Sequence, residues 1–272
     1  MAVGDVIWLV FLLLMLQPLL QKKLLEGVRR RLIRRIEARR GSRVITLIHR
    51  QVSMAFLGVP VMRYIDINDS EEVIRAIHLT DPDMPIDFIV HAPGGLALAA
   101  LQIAHALRTH PGKVTVHVPH YAMSGATLIA LAADEIVMDE HAVLGAVDPQ
   151  VGTYPASSVL AVVARKNIND VDDQTLILAD VAEKAIVQLQ GAVKTLLADR
   201  LAEAEAERLA VTLSTGTWTH DYPITPEVAR LLGLPVTSGI ETDIYALMQL
   251  YPQPVRLQPA VEYLPGRHGK AV

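Results

Sequence analysis

The sequence predicts a layered α/β domain carried behind one apolar N-terminal helix, and three observations point that way. From Arg43 onward, short β-rich runs alternate with helical stretches. Two of those runs end in small-residue turns, His91-Ala92-Pro93-Gly94-Gly95 and His120-Tyr121-Ala122-Met123-Ser124-Gly125, separated by one β-α unit. Ahead of Arg43 lies an apolar block followed at once by a dense run of cations.

Composition narrows the chemistry before any motif is read. The chain has 272 residues, and a hydrophobic content of 51% fills a sizeable core, so disorder does not describe the whole. It has no cysteine, which excludes disulfides, thiol nucleophiles and thiolate metal sites. A covalent nucleophile is therefore Ser, Thr, Lys or a carboxylate. The net charge of -4 gives no overall basic field, so nucleic acid is not an expected partner. Among the ten histidines no two stand at i, i+4 with a carboxylate, and no phosphate loop ending in Gly-Lys-Ser/Thr occurs. Neither a metal nor a cofactor is expected.

The first block, residues 2–20, has about the length and apolar content of one bilayer crossing. In residues 21–42 and at Arg43, Lys22, Lys23, Arg29, Arg30, Arg31, Arg34, Arg35, Arg39, Arg40 and Arg43 face only Glu26 and Glu37. The cations follow the apolar block instead of preceding it, and no small-residue cleavage pattern is present. The block reads as an uncleaved single-pass membrane anchor with everything after Lys22 in the cytoplasm. The segment 21–42 reads as a basic juxtamembrane helix or linker, with a face that can lie on anionic lipid. Residues 43–250 form the expected catalytic domain, and 251–272 a C-terminal tail.

Within that domain VITLIHRQ (44–51) reads as a strand, and residues 73–78 as a helix capped by Asp69 or Ser70. IDFIVHAP (86–93) is a buried strand, LALAALQIAHALRTH a helix, and KVTVHVP (113–119) the next strand. A tight turn at 120–123 and a helix from Ser124 follow. DEIVMDE (134–140) and AVLGAV (142–147) supply short β runs, and 172–213 is long and helical. Thr225-Pro226-Glu227 opens a further helix.

Ligands of open α/β sheets bind beyond the carboxyl ends of the strands, where Ser124 stands. At the neighbouring strand end, Gly94 and Gly95 let backbone N–H groups turn outward. Ser124 alone reads as a helix cap, and Pro-Gly-Gly alone as a turn. In order, each after a predicted strand, they make a nucleophile beside an oxyanion hole.

The run HAPGG, followed by YAMSGATLIALAADEIVMDEHAVLGAVDP, resembles the Clp-protease/crotonase superfold of signal peptide peptidase A relatives, and most nearly the membrane-anchored serine dehydrogenase proteinases. The resemblance covers residues 44–236. It implies a serine endopeptidase acting on polypeptides, with Ser124 as nucleophile and the N–H groups of Gly95 and Gly125 as oxyanion hole, Gly94 remaining a candidate. It also implies a homo-oligomer.

The base is less directly marked. Clp proteases place a histidine downstream of the serine, but GAVDPQVG holds none, and His141 lies in a turn. The signal peptide peptidase branch uses a lysine, which acts as a base once burial lowers its pKa. Counting back from TPEVARLLGLP puts Lys184 at that position, with Lys166 in the polar stretch ARKNINDVDD as the alternative. Lys184 stands off the apolar stripe of Leu178, Ala182, Ala185, Ile186 and Leu189, so its burial requires Ile177 and Val181 or a second subunit. Asp148 and Gln150 read as holding a turn near the site, and WTHDYPIT (218–225), with His220, as capping structure. A crotonase-like acyl-CoA enzyme and a catalytically inactive membrane scaffold are the rival readings of the same fold.

Overall fold

The computed structural model describes residues 3–50, 52–53, 60–61 and 63–251. The chain opens with α1 (Val3–Arg40), β1 (Arg43–Ile48), β2 (Val52–Ser53), β3 (Pro60–Val61), α2 (Ile67–His78) and β4 (Ile86–His91). Next come α3 (Ala97–Arg108), β5 (Val114–Val118), β6 (Tyr121–Ala122), α4 (Gly125–Leu131), β7 (Glu135–Met138) and β8 (Val143–Leu144). Then follow β9 (Gln150–Val151), β10 (Tyr154–Pro155), α5 (Ala156–Arg165) and α6 (Asp173–Leu197). The described part closes with α7 (Glu203–Ser214), α8 (Pro226–Leu231), β11 (Val236–Ser238) and α9 (Thr242–Gln249).

Strands β1, β4, β5, β7 and β11 pair in parallel in the order β1-β4-β5-β7-β11. The two-residue period of the strands divides their side chains between two cores. Ile45, Leu47, Ile86, Phe88 and Val90 enter the larger one, with Val73 and Ile77 of α2, Ile103 of α3, Ile129 of α4 and Leu189 of α6. Val44 and Ile89 point the other way, against Leu32 and Ile36 of α1 and Ile244, Leu247 and Met248 of α9. All six residues of β4 are buried, as expected for a strand covered on both faces. Parallel pairing brings every strand's carboxyl end to one edge, so the turns after β4 and β5 meet.

A polar lock fastens α1 to this sheet. The Asp87 carboxylate lies 2.7 Å from His117 Nε2 and 2.7 Å from Arg40 Nε, and it accepts the Ser42 hydroxyl. Burial alone raises the Asp87 pKa, but those three hydrogen bonds outweigh it and hold the group at about 2. Arg35 and Arg39 reach Asp243 at 2.5 and 2.9 Å, and Arg40 reaches Glu241 at 2.7 Å.

Several expectations are corrected. Helix α2 begins at Ile67 and is capped by Asp66: Asp66 accepts from the Asp69 N–H at 3.1 Å and Asp69 accepts from the Asp66 N–H at 2.9 Å. Acids at both positions satisfy two orphan donors at once, and Ser70 instead donates its hydroxyl to the Ile67 carbonyl at 2.8 Å. The stretch 172–213 is two helices, α6 and α7, parted at 198–202. The cap at Thr225 ahead of Pro226 is as expected. Residues 21–40 continue α1 without a break, and Gly41, at φ 63°, ends it. The expected anchor, 2–20, falls on the first half of α1, where most side chains lie outside the described residues. Among the described residues no helix is long and apolar enough to cross a membrane. The expected tail, from residue 252 on, is also outside them.

Candidate active site

Ser124 follows β6 and precedes α4 with φ 50° and ψ -118°, the single non-glycine residue at positive φ among those described. Such a conformation costs about 1–3 kcal/mol in an L-residue and persists only where its surroundings impose it. Ser124 takes the N-cap position of α4, but its side chain makes no capping hydrogen bond. Its hydroxyl is instead raised on a sharp strand-to-helix turn, the geometry that displays a nucleophile.

Three contacts hold this turn. Met123 N–H donates to the Ala92 carbonyl at 3.1 Å, tying it to the end of β4. The buried Thr127 hydroxyl lies 2.7 Å from the Ala122 carbonyl and accepts the Gly145 N–H at 3.1 Å, joining α4 to β6 and β8. Gly94, at φ 108°, supplies clearance: a β-carbon there would lie 2.7 Å from Ser124 Cβ.

Gly95 is bridged in parallel to Ile65, and the bonds belong to its neighbours: Ile65 N–H to Gly94 O at 2.8 Å, Leu96 N–H to Ile65 O at 2.9 Å. The ladder pattern therefore turns the N–H of Gly95 away from Ile65. A β-carbon on Gly125 would lie 2.9 Å from Ala100 Cβ, so α4 packs this closely on α3 only without one, and 3.5 Å from Gly95 N, an ordinary contact that sets the two glycines side by side. As the first residue of α4, Gly125 has no intrahelical acceptor for its N–H.

Ser124, Gly95 and Gly125 line one cavity of about 410 Å³ with Leu101, Leu128, Val147, Asp148, Gln150, Ala185, Gln188 and Leu189. The walls are mostly aliphatic, and Asp148 is the charged group among them. Its carboxylate is 3% exposed, with Oδ1 2.8 Å from His220 Nδ1 and Oδ2 accepting Gln150 Nε2 at 2.8 Å. The hydrogen bond to Asp148 raises the His220 pKa above its ordinary value, burial opposes the rise, and the charges of Asp148 and Asp221 add to it. His220 stands in a turn closed by Tyr222 N–H to Thr219 O at 3.0 Å, flanked by Trp218 and Tyr222, whose rings stack at 5.1 Å.

The structure does not bring the expected lysines to the cavity wall. Lys184 Nζ is ion-paired with Asp180 at 2.5 Å, and its side chain is 66% exposed. Its helix turns Ala185, Gln188 and Leu189 into the cavity instead. Lys166 is exposed at the end of α5. His141 is also exposed, against Glu140. The pairing that sequence reasoning missed is Asp148 with His220. Both were singled out, one as holding a turn and the other as capping structure, but 72 residues separate them and no local pattern joins them.

Behind the serine turn sits a second polar group. The His91 ring, 5% exposed, lies 4.2 Å from the Tyr121 ring and 5.5 Å from that of His120. Burial, with the charges of Arg50, His120 and His49, lowers the His91 pKa to about 4, so it is a neutral packing group at ordinary pH.

The family model described as ClpP-like SDH-type serine proteinase matches residues 1–271. Two uncharacterized proteins of Methanocaldococcus jannaschii are similar over nearly the whole chain. MJ0137 is 54% identical over 258 residues, 95% of this chain and 90% of its own length. MJ1495 is 50% identical over 267 residues, 98% of this chain and 91% of its own. Among solved structures, a variant of the 1510-N membrane-bound stomatin-specific protease is 20% identical over 68% of this chain and 79% of its own, with TM-score 0.46. ClpP1 of Listeria monocytogenes is 12% identical over 74% and 92%, also with TM-score 0.46.

Proposed function

Since the chain belongs to the ClpP-like SDH-type serine proteinase family and is on that ground a serine peptidase, we propose that Ser124 is its nucleophile and that the N–H groups of Gly95 and Gly125 receive the oxyanion. The observation that carries this reading is the positive-φ conformation of Ser124 beside those two glycines in one cavity.

Ser124 Oγ attacks the scissile carbonyl and gives up its proton to a base. The tetrahedral oxyanion lies against the two N–H groups, then collapses to an acyl-enzyme as the departing amine takes the proton. Water, deprotonated by the same base, releases the second product.

For the base we favour His220, which is not itself among the cavity-lining residues but is held by Asp148, which is. Asp148 in the cavity wall engages Nδ1, which leaves Nε2 as the nitrogen that takes a proton, and the buried carboxylate stabilises the imidazolium that results. The rival is the Ser124–Lys184 dyad, favoured by the placement of Lys184 one residue before Ala185 on a helix that lines the cavity. It requires Lys184 to leave Asp180 and to be covered, for which a second copy of the chain is the natural source. Exposed Val162 and Ile168, together with Ile177, Val181 and Val187 of α6, offer apolar surface for such a homo-oligomer.

The substrates fitting this reading are unfolded or membrane-derived polypeptides, and the chemistry needs no cofactor. The apolar block 2–20 and the cations behind it support a single-pass anchor with the catalytic domain facing the cytoplasm. The crotonase-like alternative has no support from family membership. The inactive-scaffold alternative is separated by labelling with a fluorophosphonate probe. The parent chain takes up the label and Ser124→Ala does not; an unlabelled parent, or equal labelling of both, sinks the assignment.

A further inference from the structure

The ends of three neighbouring strands, β1, β4 and β5, bring Arg50, His91, His120 and Tyr121 together behind the serine turn. Ile48 stands opposite His91 in the parallel register, and the His49 N–H donates to the His91 carbonyl at 2.7 Å, so the chain reaches Arg50 alongside the end of β4. The His91 ring meets His120 edge-on and Tyr121 at a tilt. His91 is buried, Arg50 and Tyr121 are half-buried and His120 is exposed, so the cluster has a sealed inner wall and an open outer side.

Arg50 lacks a counter-ion. No acid pairs with it among the described residues, and the segment that follows it, 51–62, contains none. Burial lowers its pKa, and the Tyr121 phenol is the one group that opposes the fall. Burial also lowers the pKa of His91 and of His120, and the charge of Arg50 adds to both shifts. Arg50 Nε and His91 Nδ1 are buried without a hydrogen-bond partner. Asp139, the acid that acts on His120, is held by the Tyr245 hydroxyl and by the His141 N–H at 2.8 Å, and it does not act on Arg50. His49 turns the other way, to Asp69 at 3.2 Å. Buried charges are as a rule paired or ligated, and here the chain supplies the cation alone.

We propose that Arg50, His91, His120 and Tyr121 form a binding site for a small tetrahedral anion, sulfate or phosphate. The guanidinium supplies a permanent charge and a forked set of donors, and the imidazoles and the phenol add further ones. Four oxygens meet more of these donors than the two of a carboxylate. His91 stands three residues before Gly94 and His120 four before Ser124. The bound ion therefore ties together the two strand ends whose turns meet at the serine. It also favours the imidazolium form of both histidines, which Arg50 disfavours when the site is empty, so binding takes up protons and tightens as pH falls.

The test reads binding and not hydrolysis, which keeps it apart from the peptidase assignment. The full-length chain is titrated calorimetrically with sulfate at constant ionic strength, at about pH 6 and about pH 8, a range in which imidazoles titrate and sulfate does not. Saturable binding that is tighter at the lower pH is expected, with inorganic phosphate competing and acetate much weaker. The tighter of sulfate and phosphate identifies the natural ion. Arg50→Met and His120→Gln should each weaken sulfate binding by about tenfold or more, and His120→Gln should also flatten the pH dependence. His120 is exposed, so its variant reads binding without disturbing the fold. Without sulfate, Arg50→Met should melt no lower than the parent, because it removes an unpaired charge and keeps an apolar stem. Absence of saturable binding, equal binding by the parent and Arg50→Met, equal affinity at both pH values, or acetate as tight as sulfate would each overturn the proposal. So would an Arg50→Met chain that melts well below the parent without sulfate, since Arg50 would then be paired within the chain already.

Discussion

His220 Nδ1 lies 2.8 Å from Oδ1 of Asp148, a carboxylate 3% exposed in the wall of the cavity that holds Ser124. This relationship changes which base the serine is expected to use, and it sets the first two predictions.

A histidine base must be neutral to act, and Asp148 raises the pKa of His220 above its ordinary value. Peptidase activity should therefore rise with pH along a limb whose midpoint lies above about 6.5. Asp148→Asn should lower kcat and move that midpoint down, because the neutral amide no longer favours the imidazolium. The stability contribution has the opposite sense: it is complete below about pH 6.5 and fades as pH rises through the raised value. A pH–rate profile of the Asn variant that matches the parent's rejects Asp148 as the orienting group.

The two candidate bases separate by substitution. His220→Ala should lower kcat by about 100-fold or more, with Lys184→Ala nearly as active as the parent. Losing the exposed Lys184–Asp180 pair should cost no more than about 0.5 kcal/mol by thermal melting. An active His220→Ala beside an inactive Lys184→Ala and an inactive Lys184→Arg restores the lysine dyad, since a guanidinium does not give up its proton at working pH.

Strain at Ser124 gives a stability signature separate from activity. Ser124→Ala should be inactive yet within about 0.5 kcal/mol of the parent's stability, because no capping bond is lost. Ser124→Gly should be inactive and more stable by about 1 kcal/mol, as glycine tolerates φ 50°. Gly94→Ala should impair kcat by pushing Ser124 out of position, since its β-carbon would lie 2.7 Å from Ser124 Cβ, and should lower stability because alanine is strained at φ 108°. Denaturant titrations and single-turnover assays of the three variants check this.

His91 should make the fold sensitive to acid. Its pKa is lowered to about 4 in the folded chain, so the unfolded chain binds the proton first as pH falls. Stability should decline between about pH 6.5 and pH 4, at about 1.4 kcal/mol per pH unit for one such group. His91→Asn should flatten that slope even if it lowers stability overall. An unchanged slope assigns the acid sensitivity to another group.

What the sequence determined by itself was local. The alternation of β-rich and helical runs marked a layered α/β domain, because pleat and helical periods are written in neighbouring residues. Pro93-Gly94-Gly95 and Met123-Ser124-Gly125 marked the strand ends that meet, because parallel strands bring their carboxyl ends to one edge. Thr225 ahead of Pro226 read as a cap for the same local reason. The tertiary structure decided what depends on distant partners. It set Ser124 at φ 50° at the start of α4 with no capping hydrogen bond, through the contacts of Met123 with Ala92 and of Thr127 with β6 and β8. It joined Asp148 to His220 across 72 residues and left Lys184 with Asp180 in solvent. It also drew Arg35, Arg39 and Arg40 out of a uniform run of cations into pairs within the fold. The physical reason is common to all three: a hydrogen bond or ion pair depends on distances of a few ångströms, and only the packed chain sets those distances between residues far apart in sequence.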